Sequence, residues 1–326
     1  MRAAAGVALA GMRLSLTFPA LPDPAQAALT PTTRTSKLLL CAAAEVPRDR
    51  GATMVFLPLR AVGVGEVAAE VYERWLAELE ASLSNPGTDR NELCRRVLTE
   101  LYYPQLLDSD PSSLPLATQV ALLQMDPRNV TLEPEYYAEL DPERYYRVKP
   151  LIWLWEMFDK SPLGENVHLG VKLRRLLARH IFARCGANFK CFHFVKLSFG
   201  YNLEVGDNVV VHRHVLLDDR GGIILGHGVS IADFSNVYSH THSLADGRDV
   251  ETPMTVLGNG VRITYHATVL AGVHMAPDSM IGALAVATKD VPAGEVALGI
   301  PAQPRLKKPP MEERPAHPAT RDPLAE

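Results

Sequence analysis

Two histidines, His240 and His242, lie in the polar stretch Tyr238-Ser239-His240-Thr241-His242-Ser243-Leu244-Ala245-Asp246-Gly247-Arg248. Imidazole is the side chain whose ordinary pKa lies closest to neutrality, so it suits proton transfer, and it also ligates metals. A zinc site needs more ligands than this pair supplies, and no third histidine stands at a suitable spacing. The four cysteines, Cys41, Cys94, Cys185 and Cys191, are too few and too scattered for a zinc site or a disulfide framework. They read as reduced thiols of a cytosolic protein.

The elements that position these histidines announce themselves by a period of six. Val205, Val211 and Leu217 make one run; Leu225, Ile231 and Val237 a second; Leu257, Ile263, Val269, Met275, Ile281 and Ala287 a third. A parallel register carries Leu203, Val209, Val215, Ile223, Val229, Val261, Ala267, Val273, Ser279 and Ala285. A helix repeats at 3.6 and a flat strand at 2, so six fits neither. It suits a triangular coil whose sides are short strands, with permissive residues such as Gly206-Asp207-Asn208, Gly226-His227-Gly228 and Gly258-Asn259-Gly260 at the corners. Stacked coils bury every sixth side chain in a narrow core, so the fold class is mainly β, a hexapeptide-repeat parallel β-helix. The histidine stretch interrupts the hexads, and a polar loop breaking a regular scaffold points to function on that loop. His193, His212, His214 and His274 read as corner or surface residues.

With 326 residues there is room for an added domain or for extensions. A net charge of -4, with no basic run, excludes an electrostatic case for nucleic acid. No apolar stretch is long enough to span a membrane. Residues 1–55 lack sustained periodicity and are expected to be a disordered leader, with Met12 and Met54 as alternative starts. Residues 56–186 form a helical domain. Val67, Val71, Trp75, Leu79 and Leu83 make one apolar stripe, ended by Asn85-Pro86-Gly87. Asp89 and Glu92 resemble a capping box before Leu93, Val97 and Leu101. Leu114 to Gln124 suits a further helix, and Asp141-Pro142-Glu143 starts one that is expected to bend or break at Pro150. Val171 to Ala183 is the last helix, with Lys172, Arg174, Arg175 and Arg179 as a solvated face. Such a segment would cover the open end of the coil stack and could shape a substrate pocket. Residues 187–300 are the β-helix, and 301–326 a disordered tail rich in proline.

From Tyr238 to Lys289 the chain resembles the hexapeptide acyltransferases and is most similar to the galactoside, maltose and nodulation-factor O-acetyltransferases. Ser239-His240-Thr241-His242, Pro253, Leu257-Gly258-Asn259, Leu270-Ala271-Gly272-Val273, Thr288-Lys289-Asp290-Val291-Pro292 and Gly299-Ile300-Pro301-Ala302 carry the likeness. The resemblance implies a left-handed coil, a homotrimer, and direct acyl transfer from acetyl-coenzyme A to a hydroxyl of a small, sugar-like acceptor, with no metal. It implies His242 as general base, with His240 the competitor under a two-residue slip. It places Tyr265 and Ala283 along the pantetheine arm, Thr288 and Lys289 at the nucleotide end, and Arg305 or Lys307 at the phosphates. Asp219 matches an acceptor-contacting aspartate. Arg262 and Thr264 depart from the usual residues, and Val209 and Val211 stand near positions where the galactoside enzymes carry tyrosine and asparagine, which points away from a simple galactoside. The alternatives are a γ-type carbonic anhydrase on the same fold and a non-catalytic binding module.

Overall fold

The computed structural model describes residues 63–310 and 313, so the leader and most of the tail lie outside the described residues. Five helices come first: α1 (Glu66–Ser84), α2 (Arg90–Tyr102), α3 (Leu116–Leu123), α4 (Pro142–Lys160) and α5 (Val167–Ile181). The coils follow. The first holds β1 (Arg184–Cys185), β2 (Lys190–Cys191) and β3 (Lys196–Leu197); the second β4 (Leu203–Val205), β5 (Val210–Val211) and β6 (Leu216–Asp218). The third holds β7 (Ile223–Leu225), β8 (Ser230–Ile231) and β9 (Asn236–Tyr238). An arm, β10 (Thr241–His242) and β11 (Val250–Glu251), then projects before the fourth coil, β12 (Thr255–Leu257), β13 (Arg262–Ile263) and β14 (Thr268–Val269). The fifth coil is β15 (His274–Met275), β16 (Met280–Ile281) and β17 (Val286–Ala287), and the stack ends in β18 (Glu295–Leu298) and β19 (Gln303–Lys307).

Strands one coil apart pair in parallel, giving three faces: β1-β4-β7-β12-β15, then β2-β5-β8-β13-β16-β18, and β3-β6-β9-β14-β17. The sixth-position side chains fill the interior, and both registers read from the sequence are buried along their whole length. The early coils repeat after 20 residues and not 18, as the pairing of Val205 with Leu225 against that of Leu257 with Met275 shows. The extra residues sit at the corner after the third face, where Gly222 takes a φ of 97°. A Cβ on the adjacent Gly221 would lie 2.3 Å from the Ser239 carbonyl oxygen, so the backbones meet there too closely for any side chain.

The helices follow their sequence signals with three differences. In α1 the buried face is Leu76, Leu79 and Leu83, while Val67 and Val71 are exposed. Pro150 does not break α4, which runs as one helix from Pro142 to Lys160. Residues 148 to 155 of this helix are buried on every side, and that packing outweighs the hydrogen bond the proline forfeits. Arg174 and Arg175, expected on a solvated face, are buried instead. Arg174 donates from Nε to Asp159 Oδ1 at 2.8 Å, and further to the carbonyls of Gly164 at 2.9 Å and Cys191 at 3.3 Å. Asp159 Oδ2 in turn accepts from the Phe194 amide at 2.7 Å. Arg175 Nε donates to the Phe189 carbonyl at 2.7 Å. The amphipathic pattern misleads here because these guanidiniums dock the helices on the first coil.

That coil begins at Arg184, slightly before the expected start at 187. Past Pro301, where the sequence predicts a disordered tail, Gln303–Lys307 pairs antiparallel with Glu295–Leu298 and closes the last coil. The bare edge of β18 supplies the hydrogen-bonding partners that order this stretch.

Asp159→Ala leaves the Arg174 guanidinium buried without its carboxylate and is expected to cost about 3–5 kcal/mol. Urea unfolding measures it; a loss below about 1 kcal/mol would mean that the pair is not what fastens the helices to the coil.

Candidate functional site

The arm is not a free loop. Thr241 and His242 pair with Glu251 and Val250, and the Ser243 amide donates to the Asp249 carbonyl at 2.9 Å. Buried hydroxyls fix its base. Ser239 Oγ donates to the Asp218 carbonyl at 2.6 Å and accepts from the Gly221 amide at 2.9 Å. Thr255 Oγ1 donates to the Tyr238 carbonyl at 2.6 Å and accepts from the Gly272 amide at 3.0 Å. The side chains that leave this base are therefore held against three consecutive coils.

The two imidazoles meet edge to face, with centroids 5.3 Å apart. His242 is exposed, and its Nδ1 lies 2.7 Å from the Gly247 carbonyl oxygen. A carbonyl only accepts, so this contact puts the proton on Nδ1 and leaves the Nε2 lone pair open. His240 is largely buried; its Nδ1 approaches Asp218 Oδ2 at 2.5 Å. The two atoms are in contact without forming a hydrogen bond, and Nδ1 has no hydrogen-bonding partner among the described residues. Asp218 also accepts from Ser198 Oγ at 3.1 Å.

His240 and Asp218 border a cavity of about 560 Å³. One wall is the third face of the solenoid, through Lys196, Ser198, Leu216 and Tyr238. The opposite wall is the helical region, through Glu133, Tyr137 and Glu156. Both basic side chains on its wall, Arg220 and Lys196, are paired with carboxylates. Arg220 Nε donates to Glu139 Oε1 at 2.5 Å, and its guanidinium lies 3.9 Å over the Tyr137 ring. Tyr137 donates to Glu133, and Lys196 pairs with Glu156 at 2.9 Å. The cavity is thus polar and hydroxyl-rich without a free cation on its rim.

Asp219, the residue that sequence matching assigns to the acceptor, is not on this surface. It is fully buried, and its carboxylate accepts from the amides of Phe199 at 2.7 Å and Asn202 at 3.1 Å. Burial pushes its carboxyl up to about 6 against the pull of those donors. It braces the long corner, and Asp218 takes the cavity-facing place. Strand alternation carries the signal that could have found Asp218: with Leu217 inward, residues 216 and 218 point outward. Nothing in the spacing of the helical region marks Glu133, Tyr137 or Glu156.

The remaining sequence-predicted residues are all exposed. Tyr265 and Ala283 share one corner, where the Leu284 amide donates to the Tyr265 carbonyl at 3.3 Å. Thr288 and Lys289 follow β17, at the corner from which the histidine arm leaves two coils earlier. With coils a strand spacing apart, that is a separation of about 10 Å along the edge. These four residues flank the third face at its far end. Arg305 and Lys307 stand apart, on the strand that extends the second sheet.

The solenoid with its corner arm is a hexapeptide-repeat fold. No protein-family model matches the sequence. The chain is 30% identical over 164 residues to galactoside O-acetyltransferase of Escherichia coli, spanning 49% of this chain and 77% of that protein. A maltose O-acetyltransferase structure from Clostridium difficile superposes with a TM-score of 0.47 at 22% identity, over 53% of this chain and 91% of that one. A galactoside acetyltransferase solved with coenzyme A gives 0.42 at 24% identity, over 54% and 86%. The chain belongs to the hexapeptide-repeat acetyltransferase family, with its left-handed β-helix, and is an acetyltransferase. No described helix is long and apolar enough to cross a membrane.

Because the Asp219 carboxyl titrates higher folded than unfolded, its contribution to stability is full below about pH 4 and is lost as pH rises through about 6. Asp219→Asn removes that slope. The stability of the variant relative to wild type is expected to rise by about 3 kcal/mol between those limits. Paired urea titrations across the range measure it, and a flat difference would contradict the assignment.

Proposed function

We propose that the protein transfers an acetyl group from acetyl-coenzyme A directly to a hydroxyl of a small, sugar-like acceptor held in the cavity beside His240. The observation that carries this reading is the order of parts along one face of the solenoid. The polar cavity occupies the first three coils, the histidine arm leaves the corner of the third, and Tyr265 flanks the face one coil beyond, with Ala283, Thr288 and Lys289 two coils beyond. A long coenzyme lying along that face brings its thioester end to the arm.

His242 Nε2 takes the proton of the acceptor hydroxyl as the oxygen attacks the thioester carbon. The new C–O bond forms, the C–S bond breaks, and the imidazolium returns its proton to the leaving thiolate. No acyl-enzyme is needed, which agrees with the burial of Cys94 and Cys191. Burial raises both thiols far above the ordinary range, leaving them poor nucleophiles. His240, set against Asp218, holds the acceptor in line. The place of His240 on the cavity wall favours a second reading, in which the His240–Asp218 pair is itself the base. The exposed face completes its groove from a neighbouring subunit, in a homotrimer.

His242→Ala is expected to lower turnover about a hundredfold or more while coenzyme A still binds. His240→Ala is expected to raise the acceptor KM with a smaller loss of turnover, and Lys289→Ala to weaken coenzyme binding with little change at saturation. Steady-state kinetics and calorimetry on the three variants separate these roles. Full turnover in His242→Ala with a dead His240→Ala moves the base to His240. Full turnover in both removes the mechanism. Sedimentation of the active protein should give a trimer, and a monomer with full turnover would exclude the shared groove.

A further inference from the structure

A separate cavity, of about 470 Å³, lies on another face of α4. There the start of α2, the first turns of α4 and the end of α5 meet the corner at Tyr201 that leads into the second coil. Tyr145, Ile152 and Glu156 of α4 line the space beside His240; Glu143, Arg144 and Arg147 line this one, and no residue lines both. Its walls carry four arginines, Arg90, Arg144, Arg147 and Arg179, in a chain whose net charge is -4.

Like charges gathered in one place repel, so each calls for a counter-charge. Arg179 has one, since it pairs with Glu80 at 3.3 Å. The other three do not. Arg90 Nη1 donates to the carbonyls of Arg147 at 3.0 Å and His180 at 3.5 Å, and Arg144 Nη2 to that of Tyr201 at 2.7 Å. A carbonyl takes an N–H without neutralising the cation, and a guanidinium has further donors to give. The Arg147 side chain has no hydrogen bond or ion pair among the described residues, so the fold does not account for its charge. Burial and the charge of Arg147 hold the Arg90 guanidinium below its ordinary pKa. The nearby carboxylates leave the excess in place. Asp89 turns to Arg128 at 3.7 Å, and Asp141 accepts from the Arg144 amide at 3.1 Å. Of the residues that line the cavity, three guanidiniums without a paired carboxylate stand against Glu143 alone, which leaves two positive charges.

We propose that this cavity binds the phosphate group of a small molecule through Arg90, Arg144 and Arg147. Two positive charges in excess match one phosphate dianion. Guanidiniums that approach from α2 and from two positions of α4 meet a tetrahedral group on different oxygens, where a planar carboxylate engages a single fork. A phosphate alone does not fill the space. Val148 and the Tyr201 ring, with the Arg144 guanidinium 4.3 Å over it, offer the remainder of the ligand an apolar wall. The bound group ties α2 and α4 together at the joint where the helices meet the second coil. The site is independent of the histidine arm and of the acceptor cavity.

The test titrates the full-length protein with inorganic phosphate, pyrophosphate and glucose 1-phosphate, at constant ionic strength and about pH 8, where phosphate is a dianion. Calorimetry measures binding, and thermal unfolding is followed with the same ligands. Saturable binding is expected, with an unfolding midpoint that rises with ligand concentration and that chloride at equal ionic strength leaves unchanged. Tighter binding of glucose 1-phosphate marks a monoester as the ligand, and tighter binding of pyrophosphate a diphosphate. Arg147→Gln removes a charge but no hydrogen bond of the fold. It is expected to weaken binding about tenfold or more while the midpoint without ligand stays near that of wild type. Lys289→Ala is expected to bind these ligands as wild type does. Absence of saturable binding by all three ligands overturns the inference, as does equal affinity in wild type and Arg147→Gln. Loss of binding in Lys289→Ala also overturns it, because the phosphate would then occupy the place of the coenzyme's own phosphates.

Discussion

Every outward side chain of the solenoid takes its place from an inward one. The core is a triangular shaft filled by two inward positions on each side, and Val205, Val211, Leu217 and their counterparts in each coil are buried in it. A slip of one residue would turn that apolar set outward, so the register is fixed along all three faces. The corners then stack, and a residue at one corner stands above its equivalent in the next coil. The histidine arm and the Thr288–Lys289 corner share an edge for this reason alone, although 46 residues separate His242 from Thr288 by subtraction of their numbers.

A second constraint holds the helical region in place. The Arg174–Asp159 pair, sealed from water, touches α4, α5 and the first coil at once. Removing either charge strands the other in a low-dielectric interior, so the two parts are committed to one relative position. That position closes the cavity, since Glu133, Tyr137 and Glu156 are brought against the third face of the coil. The helices belong to the same compact unit as the solenoid, with no boundary between them.

The solenoid was legible in the sequence because its period is enforced by packing at every coil. The arm was legible because it breaks that period. Helix starts at Asp89 and Asp141 were legible because capping is local: the Asp141 side chain accepts from the Arg144 amide at 3.1 Å. The burial of Arg174 and Arg175 was hidden, because a charged residue at helical spacing looks the same whether it meets water or a carboxylate fifteen residues away. The burial of Asp219 was hidden for a related reason. Two neighbouring aspartates differ only in which side of the strand they leave, and the corner that follows them is two residues longer than a plain hexad. The helical wall of the cavity depends on tertiary docking and has no local signature.

The central claim is that acetyl passes in one step from coenzyme A to a hydroxyl in the cavity, with the histidine arm between donor and acceptor. A single-turnover quench with acetyl-labelled coenzyme A and a small glycoside acceptor tests it most directly. Label is expected to appear on the acceptor at the rate at which free coenzyme A appears, with none bound to protein at any time. Label that accumulates on the protein before reaching the acceptor, or coenzyme A released without acetylated acceptor, would contradict it.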